Sequence, residues 1–216
     1  QAKNEITDDW WNGMNRIYNV LCYDYLYPNP KSVMAFVENH DTDRFLGTGK
    51  DTMALKQALA LLLTINRTPQ LYYGTEVLMN GTKAETDGNV RKDFPGGWAG
   101  DEHNCFTAEG RTQAENNMFN WLSKLLHWRH GNKVITEGNQ VQFTPQKGVY
   151  VIARQYRNKS VMTIVNGTKD PAQLVVARYA EIIGSKKKAT DVITGRTVMI
   201  DKNVRLRPRQ TLILEL

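Results

Sequence analysis

Cysteine is scarce in this sequence, and long apolar runs are missing. The 216 residues include two cysteines, Cys22 and Cys105, and their separation fits no metal-ligand motif. They could pair only if the fold brought them together, so we expect two free thiols. No window approaches the apolar length that spans a bilayer. The first five residues contain no initiator Met and no signal-peptide pattern, which is typical of the interior of a longer chain or of a processed product.

Concentrated basic charge is also lacking, although the net charge is +6. The basic residues are scattered, and the one tight run, at residues 186–188, is typical of a solvated turn between strands. A nucleic-acid-binding protein would present a basic face or a recognisable module. We therefore predict no nucleic-acid partner. The apolar fraction of 41% and the charged fraction of 23% are those of an ordinary globular protein.

The first part of the chain reads as alternating helices and apolar strands. Apolar periodicity predicts three helices, the first of them beginning at capping residues 7–9. A continuous apolar run predicts a strand covered on both faces of a parallel sheet, and a second strand follows Pro69. The predicted helices are 7–25, 53–65 and 113–130, the strands are 32–37 and 70–73, and residues 80–101 form a long excursion. This order is typical of a parallel α/β sheet, although two strands alone cannot complete one.

The composition changes near Gly131, after which short alternating segments lie between turns. This pattern is typical of an antiparallel β-sandwich. We therefore predict two domains, residues 1–132 and 133–216. The predicted strands of the second domain are 141–143, 149–155, 160–165, 173–176, 197–200 and 211–216.

The first predicted strand ends in Asn39, His40 and Asp41, and Arg44 follows closely. In an arbitrary protein this triplet would merely cap a turn. Its position at the end of an apolar strand favours chemistry instead, because that rim of a parallel sheet is where α/β barrels place their active sites. An ionised Asp beside an imidazole can stabilise the positive charge of an oxocarbenium-like transition state. An Arg beside a carboxylate can fix both groups.

Two further segments could belong to the same site. Residues 70–76 repeat the strand-then-polar pattern, which is explained either by core packing of two tyrosines or by a second wall of the site. The loop at residues 87–98 contains Arg91, Asp93 and Trp98. A flat aromatic surface with charged groups that grip hydroxyls suits a sugar ring. We predict that this loop faces the substrate.

These segments resemble the α-amylase family of glycoside hydrolases (family 13). Residues 36–41 (FVENHD) are similar to the fourth signature region of that family, and residues 68–76 (TPQLYYGTE) to the segment of strand eight. Residues 87–98 and 110–112 resemble the neopullulanase and cyclomaltodextrinase branch. The resemblance implies an α/β plus all-β fold. Strands seven (33–39) and eight (70–73) of a (β/α)8 TIM barrel would precede a C-terminal antiparallel β-sandwich.

The resemblance also implies roles for the site residues. Asp41 would be the third catalytic carboxylate, and His40 would hydrogen-bond the sugar being cleaved. Asn39, Arg44, Arg91, Asp93 and Trp98 would bind substrate. The nucleophile and the acid of a retaining glycosidase lie about 5 Å apart, and in this family the nucleophile belongs to a Gly-x-Arg-x-Asp motif. No such motif occurs here.

We therefore expect this chain to be the C-terminal fragment of a retaining hydrolase that acts on α-1,4-glucans such as maltodextrin, cyclodextrin or pullulan. The fragment would be inactive by itself. Its partners would be the glucan and the rest of the barrel, or a second copy paired across the open strand edge. We expect no cofactor and no metal, because the family's calcium ligands lie mostly elsewhere. Two alternatives are a non-catalytic carbohydrate-binding or scaffold module, and a sandwich that binds a protein partner. The sandwich has few aromatics for binding glucan: Phe143, Tyr150, Tyr156 and Tyr179.

Overall fold

The computed structural model describes residues 10–216, so the predicted capping residues 7–9 lie outside the described part. Six α-helices and ten strands follow one another along this part of the chain. The helices are α1 (Met14–Cys22), α2 (Thr52–Thr64), α3 (Asp87–Val90), α4 (Gln113–Arg129), α5 (Lys133–Thr136) and α6 (Ala180–Ile183). The strands are β1 (Met34–Phe36), β2 (Thr68–Gln70), β3 (Asn139–Gln146), β4 (Val149–Tyr156), β5 (Lys159–Asn166), β6 (Ala172–Val175), β7 (Lys188–Asp191), β8 (Thr197–Met199), β9 (Asn203–Leu206) and β10 (Thr211–Glu215). None of the described helices has the length and apolar character needed to cross a bilayer.

The two long helices form where their periodicity predicts. Asp51 caps the start of helix α2, and its carboxylate accepts a hydrogen bond from the backbone N–H of Ala54. Helix α4 begins with a capping box, in which Thr112 and Glu115 each bond the other's backbone N–H. The predicted first helix is shorter than expected. It ends at Cys22 and continues as one 3₁₀ turn, Tyr23–Leu26.

Strands β1 and β2 pair in parallel, as predicted, with Met34 opposite Thr68. Two details of the prediction are wrong. The second strand is Thr68–Gln70 rather than 70–73, because the ladder to β1 ends at Gln70 and the following tyrosines form a turn. The first strand is not covered on both faces. Met34 is 56% exposed and Phe36 41% exposed, so the face of β1 that bears both side chains is largely open among the described residues.

The second half is dominated by an antiparallel sheet with the strand order β3-β4-β5-β10-β7-β8. Strands β6 and β9 form a separate antiparallel pair. This architecture confirms the predicted antiparallel β domain. Strands β7 and β9 were not predicted, and both alternate buried and exposed residues. The lysines at 186–188 are exposed just before and at the start of β7.

The large sheet is covered on both faces. Strands β6 and β9 and helix α6 pack on one face around Ile164, Leu206 and Leu214. Helices α2 and α4 pack on the other face, where Leu59 and Leu125 share a core cluster with Ile213. The helical half and the β half therefore share one hydrophobic core.

Arg154 ties the two halves together from inside this core. Its guanidinium donates to the carbonyl of Thr64 at the end of α2 (3.1 Å) and to the carbonyl of Gly138 (2.7 Å). Burial lowers the pKa of Arg154 to about 10, because removal from water disfavours the charged form. Both acceptors belong to backbone near the junction of the halves, so this side chain fixes helix α2 against strand β4.

The thiols and the aromatics of the β half also have definite positions. Cys22 is exposed, Cys105 is buried and both are free, which confirms the expected free thiols. Tyr150 and Tyr179 are buried, and the Phe143 ring packs edge-on against Tyr179. These three aromatics belong to the core, which weighs against a glucan-binding surface built from exposed rings in this half.

Candidate active site

The chain leaves β1 and turns sharply at Asn39, His40 and Asp41. The side-chain oxygen of Asn39 accepts the backbone N–H of Asp41 (2.9 Å), and the Asn39 N–H donates to the Thr42 hydroxyl (3.0 Å). His40 Nε2 and Asp41 Oδ2 lie 3.2 Å apart, and both side chains are about three-fifths exposed. Asn39 therefore shapes the turn, and the turn presents an imidazole and a carboxylate to solvent at the carboxyl end of β1.

Arg91 reaches this turn from the excursion that follows β2. Its Nε donates to the carbonyl of His40 (3.0 Å), and its Nη2 lies 3.3 Å from Asp41 Oδ1. The same Nη2 lies 3.1 Å from a carboxylate oxygen of Asp87 in α3. Because it grips both the backbone and the carboxylate, Arg91 sets the orientation of Asp41.

Lys83 adds a second positive charge beside the turn. Its Nζ lies 3.3 Å from the backbone carbonyl of Asp41 and 3.1 Å from Asp87. The hydrogen bond from Lys83 and the charges of Lys83 and Arg91 lower the pKa of Asp87. Asp87 therefore stays ionised and holds the two cations in place next to Asp41.

A buried ion pair lies beneath the exposed turn. Arg44 is 1% exposed and Glu38 is 2% exposed, and Arg44 Nη1 lies 3.4 Å from Glu38 Oε1. The guanidinium also donates to the carbonyls of Tyr73 (2.6 Å) and Val90 (3.0 Å). Glu38 further accepts the hydroxyl of Thr75. Arg44 thus pairs with Glu38 rather than with Asp41, and it connects the ends of β1 and β2 from inside.

Tyr72 and Tyr73 form the wall next to this pair. The Arg44 guanidinium carbon lies 3.9 Å from the ring centroid of Tyr72, and the two tyrosine rings pack edge to face. Burial raises the pKa of Tyr72. The Tyr73 hydroxyl donates to the carbonyl of Lys92 (2.6 Å), which fixes the loop after α3. The tyrosines are therefore both packing residues and supports for the loop that contains Arg91.

Asp93 and Trp98 lie apart from the network of Arg91 and Asp41. Asp93 is exposed, and Trp98 is 68% exposed. The backbone N–H of Trp98 donates to the Asp101 carboxylate (3.2 Å), which holds the turn that presents the indole. In the described part of the chain, hydrogen bonds and ion pairs unite Asn39, His40, Asp41 and Arg91, and they leave Asp93 and Trp98 outside.

Three residues of this site were missed in the sequence: Glu38, Lys83 and Asp87. Glu38 had a usable signal, because a carboxylate within an apolar strand needs a buried partner. Lys83 and Asp87 lie four positions apart in the sequence, and this i, i+4 spacing predicts a helical ion pair. Nothing local indicated that this pair would meet Asp41, about forty residues earlier in the sequence.

The arrangement of charges defines what the site can do. One exposed carboxylate stands beside an imidazole, and Arg91 and Lys83 keep it oriented. Such a group can accept hydrogen bonds from hydroxyls and can stabilise a positive charge that develops near it. This arrangement can therefore contact a polar, hydroxyl-rich molecule at the carboxyl ends of two parallel strands.

Comparison with known proteins shows which proteins this chain resembles. Residues 140–215 match the profile of the cyclo-malto-dextrinase C-terminal domain. The cyclomaltodextrin glucanotransferase of Paenibacillus macerans is 24% identical over an alignment of 208 residues, which covers 90% of this chain and 26% of the relative. An α-amylase of Niallia circulans is 29% identical over 158 residues, 73% of this chain and 26% of the relative.

A solved structure extends the likeness to the whole chain. The α-amylase of Geobacillus thermoleovorans, crystallised with acarbose, superposes with a TM-score of 0.74 and 19% identity, and covers 99% of this chain and 44% of that structure. The predicted resemblance to the α-amylase family, glycoside hydrolase family 13, is confirmed. The chain spans about a quarter of the length of the curated relatives it matches.

Proposed function

We propose that this chain supplies the end of the catalytic (β/α)8 barrel and the C-terminal β-sandwich of a retaining enzyme that acts on α-1,4-glucans. The boundary would lie between residues 132 and 133. The exposed apolar side chains of Met34 and Phe36 support this proposal, because neighbouring barrel strands would cover them. The rest of that barrel, rather than a second copy of this chain, would then pair with the open edge of β1.

The observation that carries the proposal is the exposed carboxylate of Asp41 held by Arg91 at the end of β1. Asp41 would accept hydrogen bonds from the sugar at the cleavage point and stabilise its oxocarbenium-like transition state. His40 would bond a hydroxyl of the same sugar. Asn39 and Arg91 would keep this pair in place.

The remaining predicted binding residues would act at different depths. Arg44 would support the substrate-binding turn from below, because its guanidinium is buried and bonded to Glu38 and to two carbonyls. Trp98 would stack on a more distant sugar ring, because its exposed indole lies outside the network of Asp41. Asp93, exposed on the same loop, would grip hydroxyls.

The substrate would be an α-1,4-glucan such as maltodextrin, cyclodextrin or pullulan. The names of the relatives, cyclomaltodextrin glucanotransferase and α-amylase, support this substrate class. These names fit both hydrolysis and glycosyl transfer, and we expect hydrolysis. The neopullulanase branch of the family remains a prediction from residues 87–98.

The nucleophile and the proton donor would come from outside these 216 residues, which contain no Gly-x-Arg-x-Asp motif. We expect this chain alone to release no reducing sugar from maltodextrin. The test is to sequence the encoding DNA upstream of Gln1. An open frame with a Gly-x-Arg-x-Asp strand and a catalytic Glu after it would support the proposal. A start codon immediately upstream would contradict it and would favour the binding or scaffold alternative.

A further inference from the structure

His103, Cys105 and Glu115 converge at the end of the excursion, away from the turn of Asp41. His103 Nε2 lies 3.0 Å from each carboxylate oxygen of Glu115 and 3.2 Å from Cys105 Sγ. The three donor atoms all lie within 4.8 Å of one another. When deprotonated, each of these three groups can present a lone pair to a cation. A cation among the three groups would satisfy all of them.

We propose that His103, Cys105 and Glu115 form a binding site for a transition-metal ion, with Zn²⁺ as the preferred occupant. A tetrahedral zinc with nitrogen, oxygen and sulfur ligands separates its donor atoms by roughly 3.3 to 3.6 Å. The observed separations of 3.0 and 3.2 Å need to open by only a few tenths of an ångström. Thiolate and imidazole select zinc over calcium and magnesium, which prefer oxygen ligands. This site replaces the expectation of no metal.

Each ligand is already held in position by its own surroundings. The Cys105 N–H donates to the carbonyl of Pro95 (2.9 Å), and the Cys105 carbonyl accepts from Arg111 (2.9 Å). Glu115 is fixed by the capping box, in which one of its oxygens accepts the Thr112 N–H (2.7 Å) and leaves the other oxygen for a metal. A site with ligands held in place loses little conformational entropy when it binds.

The backbone between His103 and Cys105 is equally confined. A Cβ atom at Gly96 would come within 2.4 Å of the Asn104 side chain, and one at Gly110 within 2.1 Å of the Asn104 carbonyl. Gly96 also has a φ of 94°, which side chains other than glycine rarely adopt. These two glycines let the loop close around Asn104 and bring its neighbours to Glu115.

The charges fit a divalent cation. Glu115 and a Cys105 thiolate would supply two negative charges. The carboxylate of Glu76 adds further negative charge near the same thiol. Burial and the Glu115 charge raise the pKa of the Cys105 thiol to about 11. A thiol has to lose its proton to bind a metal ion, so metal binding releases that proton. The bound ion would link the first turn of α4 to the loop that presents Trp98. Water would be its fourth ligand.

The test is a zinc titration of the chelator-stripped, tag-free chain against a chromophoric competitor, repeated with Co²⁺. We expect one ion per chain and a thiolate-to-cobalt charge-transfer band. Cys105→Ser should lower the affinity at least about a hundredfold and abolish the band. It should also reduce proton release by one per zinc.

Two further variants keep the result interpretable. Glu115→Gln retains a residue that completes a capping box, so α4 should persist while zinc affinity falls. Cys22→Ser removes the exposed thiol and should change nothing. The proposal is wrong if the unaltered chain binds no zinc at micromolar concentration. It is also wrong if Cys105→Ser and Glu115→Gln both bind as tightly as the unaltered chain, or if Cys22→Ser alone loses the ion.

Discussion

Arg91 donates from Nη2 to Oδ1 of Asp41 at 3.3 Å, although fifty residues separate the two in sequence. The same guanidinium holds the carbonyl of His40. The orientation of the proposed catalytic carboxylate therefore depends on a loop beyond the second strand. This relationship makes Arg91 a positioning residue, whose effect on turnover should be separable from its effect on folding.

Replacement of Arg91 by Ala tests this role in the enzyme encoded by the complete gene. We expect kcat to fall about 10- to 100-fold, because a misplaced catalytic group costs rate steeply. Melting temperature should change little, because the Arg91 side chain is 41% exposed and ion pairs at such positions contribute little to stability. Arg196→Ala is the matched control, because Arg196 is exposed in a turn of the β half. A kcat unchanged in Arg91→Ala would show that Asp41 needs no such support.

Glu38→Gln tests the buried pair beneath the site. The substitution leaves the buried Arg44 without its carboxylate partner, and breaking a buried ion pair costs about 3 to 5 kcal/mol. We expect a loss of about 3 kcal/mol, since two carbonyls and the Tyr72 ring still contact the guanidinium. Urea denaturation of the isolated chain measures it, with the exposed Glu181→Gln as control. A loss below about 1 kcal/mol would contradict the account.

The ionisation of Asp87 gives a pH-dependent prediction. Its folded-state pKa lies below 3.8 because Lys83 donates a hydrogen bond to it and Lys83 and Arg91 lie nearby. A depressed carboxylate pKa adds stability that is present above the unfolded-state pKa and is lost as pH falls through the folded-state pKa. The destabilisation by Asp87→Asn should therefore be present at neutral pH and vanish in acid below both values.

A direct titration of the Asp87 carboxyl by NMR checks the cause. Lys83→Met should raise the Asp87 pKa, because it removes the hydrogen bond that contributes most to the shift. Lys147→Met, an exposed lysine in the turn between β3 and β4, should leave it unchanged. An Asp87 pKa that does not move in Lys83→Met would place the cause elsewhere.

The sequence predicted those elements whose signals are local. Helix α4 was predicted within a residue at each end, because its apolar spacing lies within the segment itself. The second strand was displaced because tyrosines favour strands in general, whereas here Tyr72 and Tyr73 follow the end of the ladder. Strand β9 was missed because its polar residues make sense only opposite β6.

The candidate site likewise contains some residues that local sequence could predict and others that it could not. The triplet at residues 39–41 was visible, since it closes an apolar run. The pairing of Arg44 with Glu38 was not predicted, because an Arg near two carboxylates in sequence could bind either, and burial decides between them. The cluster of His103, Cys105 and Glu115 was invisible, because its spacing follows no metal motif and depends on how the loop closes around Asn104.

The most direct test of the central claim is turnover of maltodextrin by the complete gene product with Asp41→Asn. The substitution removes the charge and keeps the shape of the side chain. We predict a fall in kcat of about 10³-fold or more with an unchanged melting temperature, as expected for loss of a group that stabilises charge in the transition state. Asp201→Asn, the same change at an exposed turn, should retain full activity. Full activity in Asp41→Asn would contradict the assignment of Asp41 as the third carboxylate.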